Sequence, residues 1–146
     1  MNTLESRIAD LETRFAVSEL RSTYCWYTAR GDRRAVVELF AEDAVFENSR
    51  GASNEPVSVR GRDAIARHLS GMRPGRRIPL VANEVTKILR EDRAEGTCVM
   101  TNLGEDPFCG HYIDEFVKVE GIWRFSLRRF FPYSPEFSPS ADRLAP

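Results

Sequence analysis

The sequence predicts an α+β domain: a cone-shaped, curved antiparallel sheet wrapped around a long N-terminal helix, with two further short helices. Three observations predict it. Apolar residues recur at helical spacing through the first third of the chain. After Arg77 the period changes to two. Gly110 to Phe131 then reads as two strands joined at Glu120-Gly121, with Tyr112, Phe116, Val117 and Val119 before the turn and Ile122, Trp123 and Phe125 after it.

The elements follow in order. Thr3 can cap a helix running to about residue 30, in which Ile8, Leu11, Phe15 and Leu20 share helical spacing. Gly31 stops it, and Asp32 caps a short second helix through Phe40. Asp43 to Glu47 is a short strand, Asn48 to Pro56 a polar loop, and Val57 to Arg60 a brief strand. Gly61 to Met72 is a third helix, with Ile65 and Leu69 one turn apart. Arg73 to Arg77 is a basic Pro/Gly turn. Four strands follow in an antiparallel meander: Leu80–Leu89, Glu95–Leu103, Phe108–Val119 and Ile122–Phe131. The domain is expected to span residues 1–132, and residues 133–146, rich in proline and without periodicity, to form a C-terminal arm or a disordered tail. Helices first and a sheet after them make the α+β class.

Composition narrows the function. A chain of 146 residues suits one domain with a real core. Apolar content of 42% and charged content of 29% are those of an ordinary globular protein. A net charge of −1 gives no footprint for nucleic acid or an anionic membrane. No apolar run approaches the ~20 residues of a membrane span, and the polar N-terminus does not read as a secretory signal. Three cysteines, Cys25, Cys98 and Cys109, form no CxxC pair, which suits reduced thiols in a cytoplasmic protein. The two histidines, His68 and His111, lack ligand spacing, so no metal is expected. No phosphate-binding glycine loop or Gly-x-Ser-x-Gly elbow is present, so no cofactor is expected.

Two longer motifs carry a resemblance. RGDRRAVVELFAEDAVFE resembles the segment of SnoaL-like proteins where a helix ends at Gly-Asp and a second runs into Leu-Phe, an acidic pair and Ala-Val-Phe. GHYIDEFVKVEGIWRFSLRR resembles their Gly-x-Tyr-x-Asp…Gly-x-Trp-Arg hairpin, and GRDAIARHL fits their third helix. The similarity covers roughly residues 5 to 131 and implies the nuclear-transport-factor-2-like superfamily of α+β cones. That superfamily implies several chemistries on one scaffold: polyketide cyclases, scytalone-type dehydratases, ketosteroid isomerases and lindane-type dehydrochlorinases. It also holds members that only bind or assemble, so the fold does not name the reaction. The resemblance implies an Asp–His dyad for proton transfer, but its two places fall on Ala29 and Pro79, neither of which can carry a proton. Arg128 matches the last-strand arginine of the dehydrochlorinase pattern, and Tyr24 matches a common tyrosine on the first helix.

The candidate site residues rest on chemistry and on a competing packing role. Tyr24 and Tyr27 lie three apart on the first helix, and phenols in a dry pocket can donate to a carbonyl or phenolate oxygen. Both rings can equally fill the core. His111 sits on a predicted strand and has the pKa range of a general base, unless it is a rim histidine. Arg128 and Arg129 fall on opposite faces by alternation, so one can enter the cone and bind an oxyanion while the other meets solvent. A hairpin ion pair with Asp114 or Glu115 is the alternative. Asn83 follows three apolar residues, and Cys98, Met100 and Asn102 share one strand face. Arg76 and Arg77 beside Pro79 can guard a pocket mouth against an anionic ligand, or form a solvated turn.

The function expected is that of a cofactor-independent lyase, dehydratase or isomerase acting on a small hydrophobic, aromatic or cyclic, oxygenated compound. His111, Tyr24 and Arg128 are the expected catalytic groups, and Tyr27, Asn83 and Met100 the substrate-binding ones. The alternative is a ligand-binding or oligomerisation module that has lost the dyad at Ala29 and Pro79. Apolar residues at both parities of the last two strands suggest a homo-oligomer, a dimer or trimer, most simply a dimer packing sheet on sheet.

Overall fold

The computed structural model describes residues 3–49 and 55–133. The expected C-terminal arm therefore lies outside the described residues, apart from Tyr133. Helix α1 (Leu4–Arg30) starts where the Thr3 side chain accepts from the Ser6 amide, and ends at Gly31 in the left-handed conformation, φ 70°. Asp32 caps the short helix α2 (Arg33–Glu38) through the Ala35 amide. Strands β1 (Phe40–Asn48) and β2 (Val57–Arg60) precede helix α3 (Arg62–His68). Four long strands complete the chain: β3 (Pro79–Arg90), β4 (Arg93–Asn102), β5 (Phe108–Val119) and β6 (Ile122–Pro132).

The six strands form one mixed sheet in the order β2-β1-β6-β5-β4-β3. The meander β3 to β6 is antiparallel, as expected. The β1–β6 junction is parallel, which adds one parallel pairing to the antiparallel sheet expected. The reason is connectivity: a short β1 is carried beside the last strand, and the chain returns to the sheet at its far edge. Helix α1 packs chiefly on β3. Helix α2 is shorter and β1 longer than the sequence suggested, because Phe40 already pairs with Phe125; α3 also stops earlier than expected, at His68.

The core lies between α1 and the concave face of the sheet, with Val17, Leu20, Tyr24, Phe40, Phe46, Ile65, Met100, Tyr112, Phe116, Phe125 and Phe130 buried. Of the apolar α1 residues singled out above, only Leu20 belongs to it. Ile8, Leu11 and Phe15 are exposed, and the face against the sheet is Thr13, Val17, Leu20, Arg21 and Tyr24.

Two register breaks decide which residues face inward. In β6, Glu115 pairs with Leu127 but Phe116 with Phe125, so Ser126 is an extra residue. Trp123 and Phe125 are buried before it, and Arg128 and Phe130 after it. In β3, Ala82 pairs with Val99 and Val85 with Thr97, so an extra residue falls at Asn83–Glu84, where Asn83 has φ 53°.

Candidate functional site

A row of cross-strand partners forms the floor of the cone: Thr86 opposite Gly96, Gly96 opposite Asp114, and Asp114 opposite Arg128. Arg21 lies across this row from α1. Its Nε donates to Asp114 Oδ2 at 3.1 Å, and its Nη1 lies 3.4 Å from Glu84 Oε2 and 3.3 Å from Thr86 Oγ1. Arg128 Nε stands 3.0 Å from Asp114 Oδ1. The side chains of Arg21, Asp114 and Arg128 have no solvent exposure, and Glu84 little. Two guanidinium groups thus meet two carboxylates, and the buried charge closes to zero. Sequence reasoning missed Arg21; the available signal was its spacing, four after Val17 and three before Tyr24 on one helix face.

Arg128 is also boxed by aromatic rings. Its guanidinium carbon lies 3.6 Å from the Tyr112 centroid, 4.3 Å from Tyr24 and 4.4 Å from Phe125. Burial is the largest single influence and opposes its charge, but Asp114, Tyr112, Cys98 and Tyr24 together outweigh it and the Arg128 pKa is raised. Burial raises the pKa of Tyr24 against the lowering influence of Arg128, and raises that of Tyr112 further. Both are therefore neutral phenols at physiological pH, and their rings meet edge to face, centroids 6.2 Å apart.

Beyond the two phenols is a cavity of about 280 Å³. Tyr24, Tyr112, Met100, Phe130 and Pro79 wall it, and Thr28, His68, Arg73, Arg76 and Arg77 are among its polar lining. Thr28 Oγ1 is buried and makes no hydrogen bond among the described residues. His68, at the end of α3, sits at the mouth with its ring 5.2 Å from that of Phe46. It is exposed on one side and covered on the other, and the covered side lowers its pKa by desolvation. Among the described residues no Asp or Glu lines the cavity.

The expected set is only partly brought together. Tyr24 and Met100 line the cavity. Arg128 lies behind the tyrosine rings, held by Asp114, and is not in the lining. His111 corrects the expected base position: it points to the other face of β5, stacked on Phe131 at 4.9 Å with Nδ1 2.8 Å from the Tyr133 hydroxyl. Alternation is the cause, since Tyr112 and Asp114 take the inner face. Asn83 is exposed, turned out by the β3 irregularity that brings Glu84 and Thr86 to Arg21. Tyr27 is half-buried against the core and not in the lining. Thr28, His68 and Tyr112 were not singled out as site residues from the sequence, although GRDAIARHL places His68 in the last turn of a helix that covers the cone.

The comparisons bear on the scaffold. The profile of the SnoaL-like domain family matches residues 9–129. No curated protein sequence matches the chain. Among solved structures, a candidate scytalone dehydratase from Novosphingobium aromaticivorans is similar at 21% identity and TM-score 0.74, over 92% of this chain and 94% of that one. The hexachlorocyclohexane dehydrochlorinase LinA-type3 from Novosphingobium barchaimii is similar at 17% identity and TM-score 0.71, over 92% and 100%. A protein of unknown function from Mycobacterium tuberculosis is similar at 20% identity and TM-score 0.74, over 87% and 75%. At these identities the likeness shows the fold alone. Among the described residues no helix is long and apolar enough to cross a membrane.

Proposed function

Because the chain belongs to the SnoaL-like domain family, we propose that its cavity binds a small cyclic or aromatic oxygenated compound and carries out cofactor-independent elimination or isomerisation on it. The observation that carries this reading is the pair of neutral, edge-to-face phenols, Tyr24 and Tyr112, at the wall of a cavity that also holds a buried hydroxyl, Thr28, without a hydrogen bond among the described residues. Phenols fixed over the buried Arg128 are suited to donate to a carbonyl oxygen that gains charge during reaction. Arg128 and Asp114 position the rings rather than touch the ligand.

In this reading His68 replaces His111 as the base, because it is the histidine in the cavity lining. The neutral imidazole takes a proton from the carbon next to the ligand carbonyl, and the electron pair moves to the oxygen as an enolate bonded by Tyr24 or Tyr112. Return of that proton to another carbon gives isomerisation. Its delivery to a departing β-hydroxyl, with cleavage of the C–O bond, gives water and an unsaturated product, and leaves His68 neutral again. Tyr27 and Asn83 have no part in this mechanism.

The second reading is a binding module without turnover. Pro79, at the place of the family histidine, is buried in the cavity wall, where it can only fill space. Incubating the protein with cyclic β-hydroxy ketones and following water loss and binding in parallel tests the two. Turnover supports the enzyme; saturable binding with no turnover supports the module; neither would remove the cavity from the function.

A further inference from the structure

The collar of the cavity is basic in a way the proposed reaction does not use. Arg73, Arg76 and Arg77 all line it, and among the described residues no carboxylate does. Their partners differ. Arg73 pairs with Glu105 at 2.5 Å, on the exposed side. Arg76 donates to the Gly71 carbonyl at 2.8 Å and forms no ion pair among the described residues. Arg77 packs its guanidinium over the Phe108 ring, 5.0 Å from the centroid. Its Nη1 is buried and forms an ion pair with Asp106 Oδ2 at 3.7 Å, too long for a hydrogen bond, and it makes none among the described residues. An unbonded guanidinium nitrogen out of solvent is costly unless a ligand completes it. A carboxylate is the group whose planar geometry matches that fork.

We propose that the ligand carries a carboxylate, which Arg76 and Arg77 hold at the mouth while its ring lies inward against Tyr24, Tyr112 and Phe130. The claim rests on this cavity being the ligand site, and refines it to an aromatic or cyclic acid. Arg77 supplies orientation because its ring contact with Phe108 already fixes the guanidinium plane. Arg76 supplies the charge that no acid in the cavity lining neutralises.

Calorimetric titration of the full chain with benzoate and 1-naphthoate, against benzamide and 1-naphthamide, tests it. The acids are expected to bind about tenfold more tightly than the amides, as for a charge-assisted pair, with the gap shrinking in high salt. The gap should close in Arg76→Gln and in Arg77→Gln, and persist in Arg34→Gln, which lies outside the collar. Far-UV circular dichroism checks that each variant is folded. Equal or tighter binding of the amides overturns the carboxylate and leaves the cavity reading standing. A gap that survives in both collar variants also overturns it. Failure of acids and amides alike overturns both.

A different observation concerns the outer face of α1. Leu4, Ile8, Leu11 and Phe15 are all exposed, at 69%, 47%, 66% and 70%, and follow the 4-3-4 spacing of a coiled-coil seam. Ser18 and Ser22 continue the seam with small side chains, and it ends there, because the next seam position is the buried Cys25. Glu5, Glu12 and Glu19 run along one flank and Arg7 and Arg14 along the other. In a parallel pair of such helices, Arg7 faces Glu12 of the partner subunit and Arg14 faces Glu19 of the partner subunit. An antiparallel pair would set arginine against arginine and glutamate against glutamate.

We infer that α1 is the docking surface for a second copy of this chain, with the two helices parallel. Sedimentation equilibrium at micromolar concentration should give twice the 16.6 kDa chain mass, and Phe15→Glu should give the monomer with its circular dichroism intact. Ser18→Cys should cross-link to itself under mild oxidation while the unaltered chain does not. A monomeric unaltered chain, a dimer that survives Phe15→Glu, or no Ser18→Cys cross-link would each overturn the inference.

Discussion

Asp114 and Arg128 stand directly opposite each other on β5 and β6, and neither side chain reaches solvent. One carboxylate serves two arginines from two elements, so α1 and the hairpin are tied together at a single buried point. The ring faces of Tyr24 and Tyr112 lie on that same guanidinium. The ion cluster therefore sets the geometry of the phenols that wall the cavity, and couples folding to the site.

Removing the charge of Asp114 should be severe. Asp114→Asn leaves Arg21 and Arg128 buried with one remaining carboxylate, that of Glu84. Breaking a buried pair from one side costs about 3–5 kcal/mol. Urea unfolding of the variant should show a loss of that size. A loss below about 1 kcal/mol would mean that the cluster does not hold the two elements together.

Gly96 should resist even alanine. A Cβ there would lie 2.2 Å from the Val85 carbonyl oxygen and 2.8 Å from Arg21 Nη2. The first obstacle is backbone of an adjacent strand and cannot swing away. Overpacking of this kind costs about 1–3 kcal/mol. Gly96→Ala should lower the thermal midpoint, and an unchanged midpoint would show that β3 yields freely at the Arg21 cluster.

His68 should titrate below the ordinary histidine value of about 6.5. Its covered side disfavours the imidazolium, so the neutral form persists to lower pH. The imidazolium cannot accept a proton, so activity should fall as pH drops through this lowered value and be flat above it. Proton NMR of the His68 ring in the His111→Gln background gives the midpoint. A midpoint at or above about 6.5 would contradict the account.

Tyr24→Phe keeps the ring on Arg128 but removes one donor from the cavity. The variant should fold normally and lose about 10²-fold or more in turnover, the scale of a lost oxyanion donor. Full activity in the variant would leave Tyr112 as the sole donor.

The sequence carried the element order, the hairpin and the family pattern, because periodicity and turn residues report local structure. It did not carry the facing of single strand residues. Ser126 adds one residue to β6, and that step turns Arg128 inward and Arg129 out to Glu47. Unbroken alternation from Phe125 would have reversed them. The extra residue at Asn83–Glu84 likewise expelled Asn83 and admitted Glu84 and Thr86. A bulge is one residue long and has no periodic signature. The buried Arg21 was hidden for another reason: its burial depends on acids from β3 and β5, far away in the chain.

We expect His68, which lines the same cavity as Tyr24 and Tyr112, to remove a proton from carbon. Deuterium incorporation from D2O into the position next to the carbonyl of a cyclic ketone, followed by NMR, reads that step without requiring product release. The account predicts catalysed exchange by the unaltered protein and by His111→Gln, and a fall of about 10²–10⁴-fold in His68→Gln. Exchange that survives in His68→Gln and is lost in His111→Gln would contradict it.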